Sequence, residues 1–304
     1  MSRPRQILPG TSYLLTRRCT QRQFWLRPSE TVNEVFLYCL ARAARRTGVL
    51  VHAFCVLSNH YHLVVTDPDA RLPKFMHWLN HSVARVLNCH HGRWENFWSS
   101  EPYSAVRLVA DTDILEKIVY TLTNPVAAGL VRTGQDWPGL RSQPGDIGAR
   151  VFVATRSKFF FRDESLPETV ELKLVRPPGS AELDDEDFRE LVASRVRAEE
   201  ASLRVTVDTE GRNFVGPEGV RAQSPAHTPQ SHAPQSHAPR RERNPRVAAR
   251  NKWARIEALQ RLVEFVAEYT AALKSFCQGE RDVFFPAGTY WMRVHHHVRC
   301  AAPT

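Results

Sequence analysis

VLVHAFCVLSNHYHLVVT, residues 49–66, is the stretch that decides how the chain folds. Val49 to Leu57 and His60 to Thr66 are rich in β-branched and aromatic residues, and only Ser58 and Asn59 separate them. Two such runs joined by a short polar pair predict a β-hairpin. Side chains alternate across a strand, so His60 and His62 share one face while Tyr61 and Leu63 take the other.

Working outward, TSYLLTRR (11–18) reads as a strand and SETVNEVFLYCLARAARRT (29–47) as a helix with Glu30 in its first turn. Beyond the hairpin, Leu72 to His91 reads as a second helix and Tyr103 to Val109 as a fourth strand. Asp111 to about Asn124 reads as a third helix, capped by Asp111 or Thr112. The order strand, helix, strand, strand, helix, strand, helix predicts an α+β fold: a ferredoxin-like βαββαβ sheet with an added helix that carries Tyr120, followed by a mostly helical C-terminal extension. Many activities occur on this fold, so function has to be argued from particular residues.

Charge divides the chain into regions. The formal net charge is +9; residues 1–142 carry 17 Lys/Arg against 10 Asp/Glu, residues 143–224 carry 12 against 16, and residues 225–304 carry 12 against 6. Two basic ends flank an acidic middle, and nucleic acid is the commonest partner of such basic segments. We read residues 1–142 as one domain, 143–221 as an acidic accessory region, 222–246 as a linker marked by the repeat PQSHA, and 247–304 as a basic helical segment. Within the accessory region, Phe159 to Phe161 and Val170 to Val175 suggest short strands and Asp184 to Leu203 a helix. Helical spacing from Val247 to Phe276 runs through Trp253, Ile256, Leu259, Leu262, Val263, Val266 and Leu273. The N-terminus lacks the apolar core of a signal peptide and no apolar run reaches membrane-spanning length, so the expectation is a cytoplasmic protein with no membrane partner. The six cysteines form no CxxC pair and read as free thiols, with Cys39 and Cys55 in the core.

Chemistry concentrates on His60, His62 and the third helix. Two imidazoles on one sheet face can share a metal, although His-x-His alone also describes ordinary polar residues beside a hairpin. On the third helix, Leu115, Ile118, Val119 and Leu122 form the apolar stripe and Tyr120 projects away from it, with Glu116 and Asn124 one turn to either side. A surface tyrosine with no task fits that helix equally well. Taken together, the parts suit phosphoryl transfer: a divalent cation neutralises charge on a phosphodiester while a tyrosinate displaces the 3′ oxygen, leaving a 5′-phosphotyrosine and a free 3′-OH. Three adjacent histidines, His295 to His297, project in different directions and are left out of the site.

The two motifs also carry a family resemblance. SNHYHLVV (58–65) resembles the His-hydrophobic-His strand of HUH endonucleases, and IVYTLTNPVAAGLV (118–131) resembles the tyrosine helix of REP-associated tyrosine transposases, single-tyrosine relatives of the smallest insertion-sequence transposases. The likeness covers roughly residues 8–142. It implies an enzyme, a metal-dependent DNA transposase and single-strand endonuclease that cleaves and rejoins single-stranded, hairpin-flanked DNA. It assigns Tyr120 as nucleophile, His60, His62 and Asn124 as ligands of Mg2+ or Mn2+, and single-stranded or hairpin DNA as partner; monomer and homodimer both stay open. Insertion-sequence relatives often carry glutamine at the position of Asn124, and Tyr61 is bulkier than the usual residue between the histidines.

For DNA contacts, Arg17, Arg18, Arg42, Arg45 and Arg46 are candidates for phosphates. Trp94, Phe97 and Trp98 in RWENFWSS offer possible stacking surfaces, though core packing suits these aromatics as well. Arg240 to Arg261 could grip DNA or form a solvated face. The alternative reading is a domesticated module that binds DNA or RNA without cutting. A water-using metallonuclease would need carboxylates near the histidines, and only Asp67 and Asp69 follow that strand.

Overall fold

The computed structural model describes residues 4–157, 165–180, 182–228 and 245–303. The chain runs β1 (Thr11–Arg18), α1 (Glu30–Thr47), β2 (Leu50–Val56), β3 (His60–Asp67), α2 (Leu72–His90), β4 (Ser104–Leu108) and α3 (Asp111–Ala127). It continues through β5 (Val151–Thr155), β6 (Thr169–Lys173), α4 (Asp185–Thr209), α5 (Gly216–Ala222), β7 (Val247–Ala248), α6 (Lys252–Cys277), β8 (Phe284–Phe285), α7 (Trp291–His296) and β9 (Arg299–Cys300). The main sheet has the order β2-β3-β1-β4-β7. Its first four strands pair antiparallel in the ferredoxin-like arrangement that the hairpin and the element order predict.

Alternation along the strands sorts the two faces. Tyr13, Leu15, Tyr61, Leu63 and Val65 point to α1 and α2 and form one core with them. Leu14, Val64, Val106 and Leu108 point the other way, toward Ile114, Ile118, Val119 and Leu122 of α3. Tyr61 is fully buried on the first face, where its hydroxyl donates to Asn80 Oδ1 at 2.8 Å. The extra bulk between the histidines is therefore absorbed by the core and leaves the opposite face unchanged.

Helix ends follow local chemistry. Ser29 accepts the Val32 amide to start α1, and Gly48 ends it in the left-handed conformation (φ 74°) that glycine adopts at least cost. Asp67, at the end of β3, accepts the amides of Arg71 and Leu72 and so supplies the cap that α2 lacks at its own N-cap position. The expected cap of α3 needs correction. The N-cap is Ala110, whose own amide is held by the Asp113 carboxylate at 2.9 Å, and Asp111 and Thr112 lie inside the helix. A carboxylate at the third position can reach back to the cap, whereas one at the first position cannot.

The region 143–221 shares the core of the sheet domain. Phe152, Ala154, Val170, Leu172 and Leu174, from and beside β5 and β6, join the α1 side. Phe188, Val192 and Val196 of α4 join the α3 side, so α3 is covered by the sheet on one flank and by α4 on the other. β6 occupies part of the Val170–Val175 run, β5 was not legible in the sequence, and α4 outruns the expected helix by six residues, reaching Thr209. The expected strand at 159–161 and most of the 222–246 linker, including Arg240, Arg241 and Arg243, lie outside the described residues.

The expectation of one helix from Val247 fails at its start. Val247 and Ala248 form β7, parallel to β4, and α6 begins only after Asn251, whose side chain accepts the Trp253 and Ala254 amides. Buried positions on α6 are Ala258, Phe265 and Ala272, while Trp253, Leu259 and Val263 face solvent. The larger apolar residues thus misled, because α6 packs through a narrower stripe at heptad spacing. Among the described residues no helix is long and apolar enough to cross a membrane.

Candidate active site

His62 sits in the middle of the face that β3 turns toward α3, directly opposite Thr16 on β1. The register places the Thr16 hydroxyl 2.8 Å from His62 Nδ1. At the start of β3, His60 Nδ1 lies 2.6 Å from Asn59 Oδ1. That carbonyl oxygen can only accept, so Nδ1 of His60 carries the proton and Nε2 presents a lone pair. The two Nε2 atoms face each other at 3.1 Å, with the rings nearly perpendicular at 89°.

Burial disfavours charge on this pair. It pushes the His60 pKa down to about 4, with Arg18 and Arg22 adding to the effect. It pushes His62 well below the ordinary value, helped by His60 itself and by Arg18. Neutral imidazoles are the form that binds metal. Nitrogens 3.1 Å apart subtend about 95° at an ion about 2.1 Å from each, which is the separation two adjacent ligands of one cation adopt. The pair therefore fits a shared divalent ion. No group of three or more His, Cys, Asp or Glu accompanies it among the described residues.

Tyr120 meets the pair from α3. Its ring centroid is 5.3 Å from that of His62, at an interplanar angle of 77°, and the residue is 42% exposed on a helix whose neighbouring apolar positions are buried. Lys117, one turn earlier, holds its ammonium 5.5 Å from the Tyr120 ring centroid. Asn124, one turn later, is buried, and among the described residues no hydrogen bond engages its side-chain amide or joins it to either histidine. Glu116 is occupied elsewhere, paired with Arg250 at 3.1 Å.

Tyr120 and His62 open into a cleft walled by Arg17, Arg18, Ser104, Lys117 and, from the C-terminal segment, Pro245 and Ala248. Of the residues considered for DNA, Arg17 and Arg18 are therefore at the cleft. Arg17 also donates to the carbonyls of Ser99 and Glu101, fixing the loop at its rim. Arg42, Arg45 and Arg46 belong to α1 on the opposite face of the sheet, with Arg46 stacked over Trp78 at 4.1 Å and Arg42 5.9 Å from the same ring. Trp98 is buried against Tyr61 and donates to the Asn80 carbonyl, and Phe97 is buried beside it. Trp94 alone of the three is open, at 98% exposure. Asp67 is committed to capping α2, and Asp69 faces Arg71 at 3.8 Å.

Thr16, Asn59, Lys117 and the Pro245–Ala248 wall did not emerge from the sequence. Strand register would have found Thr16, since a residue directly across an antiparallel pair is the natural orienting partner. Nothing local to Pro245 marks it as part of a cleft built 120 residues earlier.

Residues 10–113 match the family model described as Transposase IS200 like, a segment that includes both histidines and stops in the first turn of α3, before Tyr120. No curated protein matches the chain. Among solved structures, the chain is similar to a REP-associated tyrosine transposase bound to a REP hairpin, at 19% identity and a TM-score of 0.41 over 48% of this chain and 84% of that one. It is also similar to a candidate transposase from Deinococcus radiodurans R1, at 20% identity and a TM-score of 0.28 over 35% of this chain and 85% of that one. From the strand that opens the sheet to the first turn of the helix bearing Tyr120, the chain is similar to transposases of the IS200-like family.

Proposed function

We propose that the protein cleaves and rejoins single-stranded, hairpin-flanked DNA through a covalent 5′-phosphotyrosine on Tyr120. The observation that carries this reading is the placement of an exposed tyrosine ring 5.3 Å from one member of a facing, neutral histidine pair. A tyrosine serving only to pack has no reason to stand half-exposed against a histidine pair carried by a separate element.

Tyr120 oxygen attacks the phosphorus and gives up its phenolic proton to solvent, the bond from phosphorus to the 3′ oxygen breaks, and that oxygen takes a proton from solvent to leave as a free 3′-OH. The phosphotyrosine conserves the energy of the broken linkage, so a 3′-OH can later attack it, release Tyr120 and restore a phosphodiester without ATP. Lys117, Arg17 and Arg18 supply positive charge along the path of the strand. His60 and His62 would hold a divalent cation, with the Asn124 amide as third protein ligand. When bound, that ion neutralises charge on the attacked phosphate and fixes its orientation. Mg2+ prefers oxygen ligands and gives up water reluctantly, so Mn2+ suits a two-nitrogen site better. Asn59 and Thr16 orient the two rings.

The test incubates the protein with labelled hairpin oligonucleotides taken from the DNA that flanks its gene, with Mn2+ or EDTA, and resolves the products on a denaturing gel. A covalent adduct that needs Mn2+ and vanishes in Tyr120→Phe is the expected result. Tight hairpin binding without an adduct under any metal would replace this reading with that of a non-catalytic binding module.

A further inference from the structure

A second cavity lies around the edge of the sheet from the catalytic cleft. Its volume is about 400 Å3, and it is enclosed by the N-terminal segment at Arg5 to Leu8, by β1 and β4, and by the C-terminal segment at Pro245 to Val247 and α6. Pro102, Ser104 and Pro245 line both spaces, so the two are neighbours across a single wall.

Its chemistry is unusual for a packing defect. Three arginines, Arg5, Arg107 and Arg246, line it, and no Asp or Glu does. Arg5 is stacked on the Tyr103 ring at 3.9 Å and donates to the Tyr103 carbonyl, which pins both groups. Arg246 donates to the Pro4 carbonyl at 3.3 Å, tying the N-terminal segment to the start of β7 at the rim. Arg107 is half-buried on β4, opposite Tyr13, and its guanidinium makes no hydrogen bond or ion pair among the described residues. A guanidinium that faces a cavity without a counter-charge is a ready partner for an anion. Apolar wall comes from Ile7, Val247, Ala258 and Leu262, with the Tyr13 and Tyr103 rings beside it, and Gln6, Thr11 and Ser104 add neutral polar groups. A flat apolar ring and a phosphate are the two halves of a nucleotide, and the volume lies in the range of small-ligand sites.

We infer that this cavity binds one nucleotide, its base between the tyrosines and the α6 side chains and its phosphate on Arg107. The inference builds on the reading of the neighbouring cleft as a DNA site. The nucleotide could belong to a single strand threading past Pro102 from the cleft or could be free in solution, and both present the same chemistry. Arg5 and the residues from Pro245 onward lie outside the matched segment, so the cavity is assembled from that segment together with the N-terminal residues, β7 and α6.

The test measures equilibrium binding of a fluorescein-labelled dT12 strand by anisotropy, in EDTA, over a range of salt, with and without dTMP as competitor. Arg107→Gln should weaken binding about tenfold, as expected for a lost charged hydrogen bond, and should lower the dependence of log affinity on log salt by about 0.7, the value for one single-strand phosphate contact. Ala258→Phe fills the cavity from the α6 wall without altering charge and should weaken binding to a similar degree, with the salt slope unchanged. Displacement of dT12 by dTMP in wild type but not in Arg107→Gln identifies a site for free nucleotides; loss of dT12 binding with no effect of dTMP identifies a site for the strand. Wild-type affinity and salt slope in both variants overturn the inference. The adduct assay reads Tyr120 and metal whereas this one needs neither, so each can fail alone.

Discussion

At the scale of single residues, polarity is governed by who can donate. His52 is fully buried and donates through Nδ1 to the Val175 carbonyl at 2.8 Å, because a carbonyl can only accept. Its Nε2 must then accept from Thr66, 2.8 Å away, and Thr66 in turn accepts from Ser12 at 2.7 Å. The chain of bonds runs in one direction, and protonating His52 would break it at Thr66. Burial accordingly holds its pKa near about 4 against 6.5 for the free side chain. Since the folded value is the lower one, the stabilising effect of the neutral ring is complete above pH 6.5 and drains away as pH falls toward 4. That shift is worth on the order of 3 kcal/mol. Urea unfolding between pH 7 and 4 should show the decline, and His52→Gln should make it shallower, the remainder coming from His60 and His62, at the cost of lower stability at pH 7. Thr16→Val tests a different residue-level role. Losing the partner that orients His62 should weaken Mn2+ binding about tenfold or more without unfolding the chain, read by titration calorimetry.

At the scale of elements, α3 owes its position to contacts at three levels along its length. Near its start, the Arg250 amide donates to Asp113 at 2.7 Å and the Arg250 side chain pairs with Glu116. Near its end, Arg141 donates through Nε to the Leu122 carbonyl, and Glu200 of α4 stands 3.9 Å from the same guanidinium while accepting the Gly134 amide at 2.9 Å. Between them lies the apolar contact with Phe188, Val192 and Val196. Glu200→Ala leaves the Arg141 charge buried and unpaired and should cost about 3 kcal/mol or more in chemical denaturation. The exposed Arg250 side chain should contribute less than about 1 kcal/mol. How much of this was legible follows from the physics of each element. The βαββαβ order and the site face of β3 could be read because period two and period 3.6 are local signals, and the displaced position of Tyr120 could be read from the same periodicity. The cap of α3 was misplaced because a reaching-back carboxylate at Asp113 looks in sequence like any acidic first turn. The start of α6 was misplaced because Val247 and Ala248 are a strand only by virtue of β4, which lies far away in the chain. The stacking role considered for Trp98 had no local signal against it, since only the fold reveals Tyr61 beneath it.

At the scale of the whole molecule, β2 and β4 are both covered on their outer sides. β7 covers β4, and the outer side of β2 is bonded by Leu140, Ser142 and Val175. Strand edges left open invite pairing with other chains, so these segments also guard against aggregation. A chain cut after residue 142 would lose Val175, α4 and β7 together, and would expose Ile114, Ile118 and Val119. It should be insoluble or molten when expressed, checked by near-ultraviolet circular dichroism and by sedimentation. The enclosure of α3 has one more outcome. Each fully buried aliphatic side chain between α3 and α4 stabilises by about 1.5–3 kcal/mol, so freeing the helix to visit another molecule would cost far more than thermal energy. On the proposed mechanism, each copy is then expected to use its own Tyr120. Mixing a preparation of Tyr120→Phe with one of His60→Ala/His62→Ala should restore no adduct at any ratio, and two such defective alleles in one cell should fail to complement.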